Sequence, residues 1–192
     1  MTTVKAVIFD LYGVLGLNGW QAFKAAHFAH KPEEWERLRY LGQRVDAGEA
    51  EQEEFVTKLV QITGENEATI RYQFEHTQAN VPLLLFINTE IRPNFRTAIL
   101  SNASHDVFSS IFSPEQLGLF DVRISSYYVG LTKPDPAIFR LACEHLGVEP
   151  AECVMVDDKA GHLASAEKLG MKTVLYTSAD QAITAIREAI KR

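Results

Sequence analysis

The chain has 192 residues, 46% hydrophobic and 23% charged. These are ordinary globular proportions that exclude wholesale disorder and collagen-like repeats, and the length suits one domain, or one with a modest insertion. Nineteen Lys and Arg against 25 Asp and Glu leave a net charge of −6, so the basic footprint of a nucleic-acid or anionic-membrane binder is missing. No apolar run approaches the roughly 18–20 residues of a transmembrane helix, and Met1-Thr2-Thr3-Val4-Lys5 shows no signal-peptide pattern. Cys143 and Cys153 form no C-x-x-C pair. A cytoplasmic protein with reduced thiols is the expectation.

Val4 to Phe9 is a short apolar run rich in β-branched residues and reads as a buried strand ending at Asp10. The next stretch, about 16–80, reads as a small helical bundle. Asn18 is placed to cap a helix through about His30, and Pro32 suits the first turn of another, followed by Glu33 and Glu34 at its positive end. Phe55, Leu59 and Ile62 share a helical face that stops at Gly64, and Ile70 and Phe74 mark a further one. From Arg96 strands and helices alternate. Thr97–Leu100 is a strand ending at Ser101, Val122–Ser125 another, and Pro136–Leu146 a helix closed by Gly147. Cys153–Val156 is a strand ending at Asp157, Ala160–Leu169 a helix closed by Gly170, and Lys172–Tyr176 the last strand. An amphipathic helix with Ala182, Ile183, Ile186 and Ile190 on one face ends the chain. This order predicts an α/β protein with a parallel sheet covered on both faces.

Polar residues follow the apolar strands: Asp10, Ser101 with Asn102, and Asp157 with Asp158. Open α/β sheets bind ligands beyond the carboxyl ends of their strands. If these strands are neighbours, the groups converge on one crevice. Three carboxylates there repel unless a cation sits among them, and hard oxygen ligands with room for water suit Mg²⁺. A carboxylate beside such a cation can attack a phosphoryl group.

Five segments together carry a resemblance: V-I-F-D-L-Y-G-V-L (Val7–Leu15), I-L-S-N-A-S (Ile99–Ser104), G-L-T-K-P-D-P (Gly130–Pro136), V-M-V-D-D (Val154–Asp158) and A-E-K-L-G-M (Ala166–Met171). In content and order they resemble the haloacid dehalogenase (HAD) superfamily of hydrolases, over nearly the whole chain. The resemblance implies a Rossmann-like core of residues 1–16 and 84–192, with a small helical cap, 17–83, inserted after the first strand. It implies Asp10 as nucleophile, Ser101 and Asn102 as contacts to the transferred group, and Lys133 as its neutralising cation. Asp157 matches a direct Mg²⁺ ligand and Asp158 a ligand or outer partner, with the Tyr12 backbone carbonyl and Asp10 completing the set. The expected function is a Mg²⁺-dependent phosphatase acting on a small phosphate ester. Partners are small anionic substrates, with no nucleic acid or membrane, for a monomer or homodimer.

Tyr12 departs from this pattern. Superfamily phosphatases carry a second aspartate there, which protonates the leaving oxygen and then activates water. A phenol with pKa near 10 is a poor base at neutral pH. Tyr at this position also occurs in the superfamily's 2-haloacid dehalogenases, where halide leaves without a proton and no metal takes part. Those enzymes have small polar residues where this chain has Asp157 and Asp158, and an aspartate where it has His162. The phosphatases commonly have Asn near His162 and Ser at Lys159. A metal-independent dehalogenase and a catalytically weak binding or regulatory protein are therefore the alternatives. Other residues read as ordinary: His27 and His30 as a surface pair, Trp20, Trp35 and Phe55 as cap core, and Arg37, Arg39 and Arg44 as a solvated face. His105 follows the second motif and is a candidate neighbour of the site.

Overall fold

A computed structural model describes residues 3–103 and 107–191; Ser104, at the end of the second motif, and His105 lie outside the described residues. The first strand, β1 (Ala6–Phe9), is buried throughout. Val7 and Phe9 enter one apolar cluster and Ala6 and Ile8 the other, as the period of two requires of a strand covered on both faces. After a turn the chain forms the short β2 (Gly16–Leu17) and four helices: α1 (Trp20–Phe28), α2 (Pro32–Asp46), α3 (Gln52–Thr63) and α4 (Glu67–Glu75). It then returns through β3 (Gln78–Ala79), antiparallel to β2.

Local chemistry explains these boundaries. Asn18 sits one residue before the N-cap Gly19, and its Oδ1 accepts from Trp20 N at 3.1 Å. The helix ends at Phe28 rather than near His30, because Pro32 opens α2 shortly after. Gly64, at φ +76°, closes α3 in the left-handed conformation that glycine adopts without strain. Asn66 caps α4 by accepting from Thr69 N at 2.8 Å. The four helices bury a cluster of their own, with Phe23, Phe28, Leu38, Val56, Leu59 and Ile70 at its centre. Trp20, Trp35 and Phe55 pack against it.

The rest of the chain continues with α5 (Val81–Phe86) and a π-helical turn over Ile87–Ile91, then β4 (Arg96–Ser101), α6 (Phe108–Ile111) and α7 (Pro114–Leu117). There follow β5 (Val122–Ser125), α8 (Ser126–Val129), α9 (Pro136–Leu146), β6 (Cys153–Asp157), α10 (Ala160–Lys168), β7 (Lys172–Leu175) and α11 (Ala179–Ile190). The sheet order is β5-β4-β1-β6-β7, and every pairing is parallel. Helices α5 and α11 cover one face and α9 and α10 the other. The fold is thus Rossmann-like, with a helical insertion after the first strand. Cys143 and Cys153 are buried, with their sulfurs 3.6 Å apart. Among the described residues no helix is long and apolar enough to cross a membrane.

The sequence pattern missed α5 and its π-helical continuation, because V-P-L-L-L-F carries an apolar run without readable period and a proline. Asn80 makes this segment possible. Its Oδ1 caps α5, and its Nδ2 donates to Val14 O at 2.7 Å and to the Tyr176 hydroxyl at 2.8 Å. Its backbone N donates to Leu15 O at 2.8 Å. The two chain crossings between sheet and helical insertion are therefore stitched together.

Candidate active site

Strand register delivers the site. Phe9 lies between Ile99 on β4 and Val156 on β6, so the residues that follow these strands emerge at one edge. Asp10 N extends the ladder to Val156 O at 2.8 Å. Its Oδ1 accepts from Leu11 N at 2.7 Å, which turns the carboxylate over the sheet edge. Lys133, in the loop before α9, reaches in with its Nζ 2.7 Å from Asp10 Oδ1 and 2.8 Å from Asp157 Oδ2. The lysine is held from behind by Asn102. That amide donates to Lys133 O at 2.9 Å and accepts from Lys133 N at 2.8 Å. The residue expected to touch substrate spends both ends of its amide on the lysine backbone.

Asp157 is similarly engaged. Its Oδ1 accepts from Lys159 N at 2.8 Å, and His162 Nδ1 lies 3.1 and 3.0 Å from its two oxygens. Burial pushes its carboxyl up, but Lys133 and His162 outweigh this and hold it well below the usual range. Asp10 has the opposite balance: burial, and then the charge of Asp157, raise it to about 6 despite Lys133. Burial works against the Lys133 ammonium, yet Asp10 and Asp157 together raise its pKa above the ordinary lysine value.

Asp158 differs from its neighbour. Its Oδ2 accepts from Gln21 Nε2 of α1 at 3.2 Å, while Oδ1 is buried without a hydrogen-bond partner among the described residues. Burial raises its carboxyl. Gly13, at φ +85°, is needed here, because a Cβ on it would come within 2.7 Å of Asp158 Oδ2. The Ser101 hydroxyl, at the end of β4, is the other buried side-chain oxygen without a partner among the described residues. Asp10, Asp157 and His162 bring one ligand atom each within 4.8 Å of one another, but Lys133 already occupies the space between the two carboxylates. The orphaned Asp158 oxygen, beside an acidic cluster at a glycine-lined turn, fits a hard cation such as Mg²⁺.

Tyr12 is half-buried, and burial together with the charges of Asp46 and Asp10 raises its phenol further above its ordinary value. It does not supply a base at neutral pH. Asp46, which the sequence pattern did not single out, stands at the end of α2 and belongs to this electrostatic neighbourhood. Burial raises its carboxyl to about 6, with Lys159 and Lys133 opposing and Asp10 reinforcing the shift. One signal was present in the sequence: an acid in the last turn of a helix opposes the helix dipole, a local conflict of the kind that functional sites tolerate. Elsewhere the bland readings agree with the contacts. His27 faces Glu65 at 3.6 Å, Arg39 pairs with Glu36, and Arg44 donates to Glu49 O.

These observations define a Rossmann-like α/β protein with a lysine-bridged acidic cluster at the carboxyl edge of its sheet, overlain by a helical insertion. The profile of the haloacid dehalogenase-like hydrolase family matches residues 4–170, and the chain belongs to that family. It is 38% identical over 117 residues to bifunctional epoxide hydrolase 2 of Sus scrofa, a match covering 58% of this chain and 20% of that protein. It is 36% identical over 78 residues to (S)-2-haloacid dehalogenase 4A of Burkholderia cepacia, covering 40% of this chain and 34% of that one. The chain thus spans a fifth to a third of these curated relatives' lengths. A HAD family enzyme of Bacteroides thetaiotaomicron, solved as a magnesium complex, superposes with a TM-score of 0.69 at 21% identity, over 97% of this chain and 100% of that one. At that identity the likeness is one of fold.

Proposed function

We propose that this hydrolase is a Mg²⁺-dependent phosphatase for small phosphate esters, working in the cytoplasm through an aspartyl-phosphate on Asp10. The observation that carries the reading is a pair of buried oxygens, Ser101 Oγ and Asp158 Oδ1, which have no partner among the described residues and follow strands β4 and β6 at the edge where Asp10 emerges. Unpartnered buried polar atoms cost free energy and persist where a ligand completes them. Asp10 attacks phosphorus with the oxygen not held by Leu11 N and Lys133. The Ser101 hydroxyl and the Lys133 ammonium hold the phosphoryl oxygens as charge builds on them. Asn102 positions Lys133, and Asp157 with His162 keeps that lysine charged and aimed. Asp158, Asp10 and the Tyr12 carbonyl would hold the cation, which when bound neutralises charge on the phosphoryl group. The helical insertion, residues 17–83, acts as the cap, its Gln21 reaching Asp158.

A second reading has its own support. Tyr12, together with the similarity to a 2-haloacid dehalogenase, suits displacement of halide by Asp10 without a metal. A panel of phosphate esters and 2-haloacids, each assayed with Mg²⁺ and with chelator, separates the two. Phosphate released only with Mg²⁺ is the expected result. Halide released in chelator establishes the second reading instead.

A further inference from the structure

The reaction proposed above needs a proton on the leaving oxygen of an alkyl ester, and Tyr12 occupies the place of the residue expected to give it. Asp46 is brought towards the same region by the helical insertion, whose α2 ends against the segment after β4. It is the last residue of α2, and its backbone carbonyl accepts from Ser126 Oγ at 2.6 Å. That hydroxyl also accepts from Ala103 N at 3.1 Å, so the end of α2 is fastened to the segment that follows Ser101 and Asn102. Among the described residues no hydrogen bond or ion pair engages the Asp46 carboxylate. The groups whose charge it feels are Asp10 and Tyr12 from the turn after β1, Lys133 from the loop before α9 and Lys159 from the loop after β6. Arg44, on its own helix, is turned to Glu49 O.

We infer that Asp46 is the general acid–base of this enzyme, delivered by the helical insertion in place of a carboxylate at position 12. The inference rests on the phosphatase reading. In the first step an Asp10 oxygen bonds to phosphorus, the bond from phosphorus to the ester oxygen breaks, and that oxygen takes the Asp46 proton to leave as an alcohol. In the second, the Asp46 carboxylate takes a proton from water as the water oxygen attacks phosphorus, which releases inorganic phosphate and Asp10. Burial raises the Asp46 carboxyl, the direction that favours its proton-carrying form. Placing the donor on the insertion also makes proton transfer depend on closure over the substrate.

The experiment compares wild type, Asp46→Asn and Asp10→Asn on an aryl phosphate and an alkyl phosphate with Mg²⁺, in single-turnover and steady-state modes. Asp46→Asn is expected to lose about 10²–10⁴-fold on the alkyl ester. On the aryl ester it keeps a burst of aryl alcohol, since that leaving group needs no proton, and then turns over slowly because water is no longer activated. Equal loss in the aryl burst and in alkyl turnover overturns the inference and leaves the phosphatase reading intact. Wild type inactive on both esters refutes the phosphatase reading itself, and with it the assignment.

Discussion

At the scale of single residues, Lys133 is a buried charge held on two sides. It is 1% exposed and faces two carboxylates, Asp10 and Asp157, at hydrogen-bond distance. Removing one partner of such a buried group leaves the others uncompensated. Lys133→Met is therefore expected to cost about 3–5 kcal/mol in urea unfolding at pH 7.5. The deficit should shrink near pH 5, where Asp10, raised to about 6 even with the lysine present, takes up a proton. Ser101 predicts the reverse trade. Its hydroxyl is buried without a partner among the described residues, so Ser101→Ala should leave stability unchanged or raise it by up to about 1 kcal/mol. Phosphate-ester turnover should fall in the same variant, by about 10-fold or more if the hydroxyl holds a phosphoryl oxygen.

At the scale of elements, the junction between sheet and insertion is stiffer than two bare crossings. The β2–β3 ribbon closes it, and Asn80, 2% exposed, ties Val14, Leu15, Leu83 and Tyr176 together. Motion of the helical insertion is then expected as a rigid swing about Gly16 and Ala79 rather than as fraying of the ribbon. Asn80→Ala removes the side-chain bonds but keeps the backbone one. It should cost about 1–3 kcal/mol and raise amide exchange in β2, β3 and the first turn of α5, with β1 and β6 unaffected. Hydrogen exchange read by mass spectrometry measures this. Uniform exchange across all segments would show that Asn80 does not control the junction.

For the whole molecule, the acidic edge makes stability depend on pH and on cations. Asp10 and Asp46 have folded-state pKa values of about 6, above the ordinary value near 4. A raised carboxyl binds protons more tightly when folded, so its contribution is present below about pH 4 and is lost as pH rises through 6. Asp157 is depressed, so its contribution holds above about pH 4 and is lost only as pH falls further. Without metal, thermal stability should fall between about pH 4 and 7, and Asp46→Asn should flatten that slope. Mg²⁺ at about 100 times its dissociation constant should restore about 2.7 kcal/mol at pH 7.5, or about 5–10 °C in Tm for a chain of this size. Asp158→Asn should lose most of that gain. A Mg²⁺-induced shift equal in both proteins would place the cation elsewhere.

The sheet and the residues at its edge are legible in the chain's pattern of apolar runs. Each apolar strand run gives way to a polar side chain at its carboxyl end, and this pattern locates Asp10, Ser101 and Asp157. The motif order adds the family and the insertion after β1. Tertiary structure alone decided how these residues divide the work. The resemblance makes Asp157 a direct Mg²⁺ ligand and Asp158 a ligand or outer partner, yet successive residues leaving a strand point in different directions. One carboxylate is consumed by Lys133, Lys159 and His162, and the other keeps a free oxygen. Asn102 reads as a substrate contact until the backbone of Lys133 arrives to use its amide. Asp46 lies 36 positions from Asp10 in the chain, and its one local signal, an acid in the last turn of a helix, does not say what it faces. Its part in the site depends on where the end of α2 docks, and long-range packing sets that through Ser126 and the segment after β4.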